Sequence, residues 1–271
     1  MSLIDVSDLA VFYGKSQVVN EVSFSVDPGE LVSIVGPNGA GKTSILESLV
    51  NYTDWRGDIT LKGDSIKEMS ADALAKMGLS YCREEENIFP YMSVRQNLLL
   101  GGHLEQSRVK EHLETVYELF PILEERTDQR ADTLSGGQQQ MLAIGISLMS
   151  DPDLLVLDEP TLGLAPVVVD DIAEAIDRLR KRDLGILLVE QNVNFGFKHA
   201  DRVILMETGE IVRSGSPAQL REDDYVSQTF FGMSSTEATW SARVGIASIP
   251  SSRRRLTACR TVGTTPLGRD R

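Results

Sequence analysis

Hydrophobic positions in this chain fall into short continuous runs separated by longer stretches of helical spacing. Leu31-Val32-Ser33-Ile34-Val35, Leu154-Leu155-Val156-Leu157 and Gly185-Ile186-Leu187-Leu188-Val189 are runs of the length and continuity expected of strands buried on both faces of a parallel sheet. Leu79 to Cys82 and Val203-Ile204-Leu205-Met206 read the same way, the latter before a Thr208-Gly209 hairpin. Helical spacing predicts helices over Ser44 to Val50, from a Ser70 cap to Gly78, and over Pro166 to Arg182. From Ile4 to Val26 two or three short strands are expected, with turns at Tyr13-Gly14-Lys15-Ser16 and Asp27-Pro28-Gly29-Glu30, and Asp58 to Leu61 adds another strand. That group forms an antiparallel flap. Residues 90–150 read as a helical insert, with one helix capped by Ser93 and ending at Gly101-Gly102, a second over about Ser107 to Leu119, and a third starting near Ser135. The prediction is an α/β fold with a mostly parallel sheet, an antiparallel β flap and an inserted helical subdomain, over residues 1–232. Beyond Gly232 the periodicity vanishes, Ser, Thr, Arg and Gly dominate, and residues 233–271 are expected to be a disordered Arg-rich tail.

Charge changes this picture in one respect. The net charge of −13 is uneven: the last 38 residues hold seven arginines against Glu237 and Asp270, which leaves −18 on the first 233. An acidic body repels nucleic acid, so no nucleic-acid partner is expected. Eight lysines stand against nineteen arginines, a balance that suits either adaptation to high salt or a GC-rich genome. Cys82 and Cys259 are too few and too far apart for a disulfide framework or a zinc site, which fits a reducing cytosol. Met1 to Asp5 meets an acid at once and no apolar stretch is long enough to span a bilayer, so a cytoplasmic protein is expected, with any membrane role exerted through a partner.

Chemistry enters at Gly36-Pro37-Asn38-Gly39-Ala40-Gly41-Lys42-Thr43, which satisfies every fixed position of the phosphate-loop pattern G-x-x-x-x-G-K-[ST] between a strand and a helix. Glycines let successive amides face an anion, the helix N-terminus adds its positive end, Lys42 brings a charge to the outer phosphates, and Thr43 is placed to hold Mg²⁺. An ordinary Gly-rich turn would satisfy the glycines alone. A phosphate loop serves kinases, GTPases and helicases alike, so further signals must choose. Leu154 to Leu157 ends in Asp158-Glu159, which sets Asp158 beside the metal of Thr43 and Glu159 toward an attacking water as base. The alternative is that the two acids merely precede the next helix before Pro160. Leu134-Ser135-Gly136-Gly137-Gln138 opens a helix with a Ser cap and bare glycine amides, either a second anion cradle or a simple cap.

The Leu-Ser-Gly-Gly-Gln string, about twenty residues before the second acid motif, resembles the signature of the ATP-binding cassette family, and the resemblance covers about residues 3 to 231. It implies a phosphate-loop NTPase core that binds ATP with Mg²⁺ at the loop from Gly36 to Ser44. It further implies a homo- or heterodimer in which Ser135, Gly136, Gly137 and Gln138 of one cassette close over the ATP of the other. Tyr13 stands where family members stack an aromatic on adenine. Two positions depart from the family pattern. Counting back from Ile88-Phe89-Pro90, Glu84 stands where most cassettes carry a Gln that reaches the metal, with Glu85 and Glu86 leaving room for a slip of one. A carboxylate also suits a hard cation, so Glu84 is expected in the Mg²⁺ shell with Thr43 and Asp158; an acidic solvated loop without metal contact is the other reading. Gln191 stands where cassettes commonly place a His on the γ-phosphate, and its amide donates the same hydrogen bond without titrating.

The strings Asn87 to Val94, Glu159 to Pro166 and Val189-Glu190-Gln191-Asn192 resemble the short ATPase subunit of branched-chain amino acid importers and their urea and amide relatives. That resemblance implies an ATPase on the inner face of the cell membrane, docked on integral membrane permease subunits and served by a solute-binding protein. Two rival readings remain. One is a soluble cassette of DNA repair or the ribosome, which the single cassette, the acidic body and the lack of a long heptad run oppose. The other is a nucleotide-gated module without turnover, which Glu84 and Gln191 permit.

Overall fold

The computed structural model describes residues 2–84, 87–104 and 107–231; Glu85, Glu86 and the expected tail from 233 lie outside them. β1 (Ile4–Tyr13) and β2 (Ser16–Val26) form two strands rather than three, joined by a turn at Gly14 with φ 61°. β3 (Leu31–Val35) is buried at every residue and runs through the glycine loop into α1 (Lys42–Leu49). β4 (Asp54–Leu61) starts four residues earlier than its apolar pattern predicts, and β5 (Asp64–Ser65) pairs with its end. The early part of β4 escapes the pattern because it crosses a bulge: Asp8 on β1 adopts φ 50°, and Gly57 opposite takes φ 100°, where a Cβ would lie 2.4 Å from the Asp8 carbonyl oxygen.

α2 (Ala71–Lys76), capped by Ser70, leads into β6 (Leu79–Cys82). Four helices follow: α3 (Val94–Gly101), α4 (Val109–Leu119), α5 (Pro121–Glu125) and α6 (Gly136–Leu148). The short α5, started by Pro121 at its first turn, is too brief for periodicity to mark. β7 (Leu154–Asp158), α7 (Pro166–Arg180) and β8 (Gly185–Glu190) come next, α7 ending two residues short of the predicted Arg182 before Asp183 turns at φ 60°. α8 (Val193–His199), β9 (Arg202–Glu207), β10 (Glu210–Gly215), α9 (Pro217–Arg221) and α10 (Asp224–Thr229) complete the described chain.

Two sheets result. β2-β1-β4-β5 is the antiparallel flap, and β10-β9-β3-β8-β7-β6 is parallel except for the β9–β10 hairpin. Alternate residues of the central strands serve opposite faces, as the two-residue period of a strand requires. Leu154 and Val156 of β7 join a core shared with α1 and the flap, whereas Leu155 and Leu157 join one shared with α3 to α7. Each such fully buried aliphatic contributes about 1.5–3 kcal/mol relative to an exposed one. The parallel order brings the C-terminal ends of β3, β7 and β8 side by side, and that edge carries the glycine loop, Asp158-Glu159 and Glu190-Gln191. Among the described residues no helix is long and apolar enough to cross a membrane.

Candidate nucleotide site

The loop from Gly36 to Gly41 owes its course to three glycines with different constraints. A Cβ on Gly36 would lie 2.3 Å from the Met206 carbonyl oxygen, Gly39 needs φ 80°, and Gly41, at the N-cap of α1, needs φ 95°. α1 has no side-chain cap, so its leading amides are left for another acceptor, the arrangement that favours an anion. Lys42 folds back beneath the loop: its Nζ donates to the carbonyls of Gly36 at 2.9 Å and Pro37 at 3.2 Å, and lies 3.3 Å from Glu159 Oε1.

Asp158 ends β7 in nearly complete burial. Its Oδ1 accepts from the Thr43 hydroxyl at 3.4 Å and its Oδ2 from the Tyr81 hydroxyl at 3.2 Å. Burial pushes its pKa up to about 6; the hydrogen bonds from Tyr81 and Thr43 oppose the rise, and the charges of Glu159 and Glu84 add to it. Glu159 follows in the left-handed region at φ 45°, an uncommon place for a residue with a side chain, while its amide still bonds the Val189 carbonyl at 2.9 Å.

A cleft of about 410 Å³ is lined by Lys42, Thr43, Ser44, Glu84, Glu159 and Gln191, together with Asn38, Gly39, Gly41, Val18 and Leu162; Asp158 is not in the lining and reaches it through its contact with Thr43. Gly36, Pro37 and Ala40 belong to the loop but are not among the lining residues. Tyr13 stands outside the cleft lining at the end of β1, 48% exposed, with its hydroxyl donating to Glu47 and lying 3.4 Å from the Ser44 hydroxyl. Partial burial, with the hydrogen bond to Glu47, raises its pKa. The Thr43 hydroxyl and the Asp158 and Glu84 carboxylates are oxygen ligands of the kind Mg²⁺ would take beside phosphate oxygens. The loop amides and Lys42 suit a triphosphate in the same way.

Ser135, Gly136, Gly137 and Gln138 do not line this cleft. They form a capping box at the start of α6: Ser135 Oγ accepts from the Gln138 amide at 3.4 Å, and Gln138 Oε1 from the Ser135 amide at 3.1 Å. A Cβ on Gly136 would meet no described residue within 4 Å. Gly136 lines a second hollow of about 260 Å³ with Glu84, Asn87, Ile88 and Gln139, and Glu84 stands at the rim of both.

Sequence reasoning overlooked three groups at the site. Tyr81 carried no motif, although its place on the strand next to β7 puts it beside Asp158. Thr161 and Glu190 meet each other: the Thr161 hydroxyl donates to Glu190 Oε1 at 2.7 Å. A readable signal existed for Glu190, because Ile186 to Val189 is an apolar strand ending in an acid, the pattern that marks Asp158.

Residues 19–162, more than half of the chain, match the ABC transporter family. The chain belongs to that family. Over 232 residues it is 38% identical to the high-affinity branched-chain amino acid transport ATP-binding protein BraG of Pseudomonas aeruginosa, covering 85% of this chain and 100% of BraG. Over 237 residues it is 32% identical to the lipopolysaccharide export system ATP-binding protein LptB of Haemophilus influenzae, covering 86% and 98%. A probable branched-chain amino acid transport ATP-binding protein, LivF of Archaeoglobus fulgidus, is 30% identical over 224 residues, covering 82% and 95%. Among solved structures, a nucleotide-free ATP-binding cassette of an ABC transporter superposes with a TM-score of 0.76 at 23% identity, covering 86% of this chain and all of the cassette. A cassette in its ADP conformation gives 0.73 at 24%, again covering 86% and 100%. At those identities the superpositions speak for the fold, which is that of the ABC cassettes. The chain is an ATP-binding, ATP-hydrolysing subunit of an ABC transporter.

Proposed function

We propose that this ABC subunit hydrolyses ATP to drive import of branched-chain amino acids or a related small polar solute. In this reading two cassettes sit on the inner face of the cell membrane against membrane-spanning permease subunits, with a solute-binding protein delivering cargo from the other side. The observation that carries the cargo is the similarity to BraG along that protein's full length.

Within the cleft, the amides from Gly39 to Ser44 and the Lys42 ammonium hold the phosphates, with Tyr13 against the adenine. Thr43 and Asp158, joined by Glu84, would hold Mg²⁺, which would supply positive charge against the negative charge that develops on the phosphates. Glu159 orients the attacking water and accepts its proton, and Gln191 donates an amide hydrogen bond to the γ-phosphate. The free amides of Gly136 and Gly137 from a second cassette supply the donors that this cleft lacks on its open side. Residues 1–232 form the ATPase domain, with residues 90–150 and the loop from Arg83 to Pro90 as the face toward the permease.

Uptake of labelled leucine tests the cargo. Cells lacking this chain should lose most high-affinity uptake and regain it with the wild-type chain but not with Glu159→Gln. Unchanged uptake on deletion would contradict the reading. The similarity to LptB favours an export role as the second possibility, and loss of lipopolysaccharide at the cell surface with intact leucine uptake would select it.

A further inference from the structure

Glu190 ends β8 with 2% of its surface exposed, and none of the roles above employs it. Its carboxylate accepts three hydrogen bonds from two separate loops. Oε1 takes the Thr161 hydroxyl at 2.7 Å and the Thr161 amide at 3.3 Å, and Oε2 takes the Asn192 amide at 3.4 Å. Thr161 lies two residues after Glu159, and Asn192 follows Gln191. Glu159 and Gln191 line the cleft, whereas Glu190 stands behind them.

We propose that Glu190 is a positioning residue for ATP hydrolysis: a buried clamp that holds the turn carrying Glu159 against the loop carrying Gln191, and so sets their spacing at the phosphate end of the cleft. The proposal rests on the roles given to Glu159 and Gln191 above.

Two physical considerations favour a clamp over simple packing. A carboxylate is costly to bury, and β8 is otherwise apolar from Ile186 to Val189, so a Leu would fill the space at lower cost. All three contacts are donated to Glu190, and its carboxylate, the form that prevails above about pH 7, accepts them together; a carboxamide would turn an N–H toward at least one of them. Secondly, Glu159 at φ 45° persists only where its surroundings over-determine it. Upstream, its amide is tied to Val189. Downstream, the turn closes on itself through the Leu162 amide to the Glu159 carbonyl at 3.1 Å and the Leu164 amide to the Thr161 carbonyl at 3.3 Å, around Gly163 at φ 71°. Two side-chain links fasten this turn to the rest of the fold among the described residues: Glu159 to Lys42 on the cleft side, and Thr161 to Glu190 behind it.

The test compares the full-length wild type with Glu190→Gln, Thr161→Val and Thr161→Ser, reading amide hydrogen exchange together with kcat and KM for ATP. Glu190→Gln and Thr161→Val should speed exchange at Leu162 and Leu164 by about tenfold while leaving β3 and β7 protected. Each should lower kcat about tenfold with KM for ATP within about twofold, because Lys42 and the glycine loop are untouched. The double variant should fall no further than either single one, and Thr161→Ser, which keeps the hydroxyl, should stay near the wild type. Unchanged exchange at Leu162 and Leu164 in Glu190→Gln would overturn the clamp. A loosened turn with wild-type kcat, or a lower melting temperature alone, would overturn its bearing on hydrolysis. Gln191→Ala is measured alongside: wild-type turnover in that variant sinks the γ-phosphate role on its own, whatever Glu190 does.

Discussion

Lys42 Nζ lies 3.3 Å from Glu159 Oε1, with the two side chains only 4% and 8% exposed. The cation proposed for the phosphates and the carboxylate proposed for the water are thus in direct contact in the cleft lining. Removing the cation strands a buried carboxylate, and breaking such a pair costs about 3 kcal/mol. Lys42→Met should therefore melt earlier than the wild type and bind ATP at least about tenfold more weakly, a loss of roughly 1.4 kcal/mol. Thermal unfolding and calorimetric titration with ATP check both, and wild-type affinity in this variant would remove Lys42 from the phosphate site.

Two glycines separate a need set within the described fold from one that the proposed partner cassette would set. Gly36→Ala drives a Cβ to 2.3 Å from a backbone carbonyl, so the chain must shift, at about 1–3 kcal/mol. Gly136→Ala meets no described residue and, at the first residue of α6, should leave stability unchanged or raise it by up to about 1 kcal/mol. Its ATP turnover should nonetheless fall by at least about tenfold, since a methyl there blocks the approach of a partner's phosphates. Melting curves beside phosphate release measure the contrast; full turnover in Gly136→Ala would argue against closure of the signature over ATP.

Burial pushes the Glu190 carboxyl up to about 7, above an ordinary value of 4.5, with the hydrogen bonds from Thr161 and Asn192 opposing the rise. The folded state thus holds that proton more tightly than the unfolded chain does. Its contribution to stability is complete below about pH 4.5 and is lost as pH rises to about 7, a change of roughly 3 kcal/mol. Glu190→Gln should flatten the pH dependence of unfolding free energy across that window. Denaturant unfolding at several pH values reads it, and a slope equal to the wild type's would place the proton elsewhere.

Glu84 stands at the cleft rim near enough for its charge to raise the pKa of Asp158. If it also joins the metal, Glu84→Gln, which trades a carboxylate for a single carbonyl oxygen, should raise the Mg²⁺ needed for half-maximal hydrolysis by about threefold. An unchanged Mg²⁺ titration and turnover would leave Glu84 as a solvated acid.

Much of this was legible in the chain itself, for identifiable reasons. β3, β7 and β8 are legible because a strand buried on both faces reads as a nearly continuous apolar run, and the glycine loop because its backbone tolerates few other residues. Asp158 and Glu159 were marked by ending such a strand. The early half of β4 was hidden by a bulge, and α5, α8, α9 and α10 are too short for a helical period to rise above its surroundings. Tyr81 and the Thr161–Glu190 pair were hidden for a different reason: they matter through contacts between strands and loops that only the sheet order brings together.

The most direct test of the account is release of inorganic phosphate from ATP by the wild type and Glu159→Gln, measured with ATP binding to each. The account predicts Mg²⁺-dependent release by the wild type and a fall of at least about a hundredfold in Glu159→Gln, with ATP still bound as tightly or more tightly. Wild-type phosphate release from Glu159→Gln would contradict it.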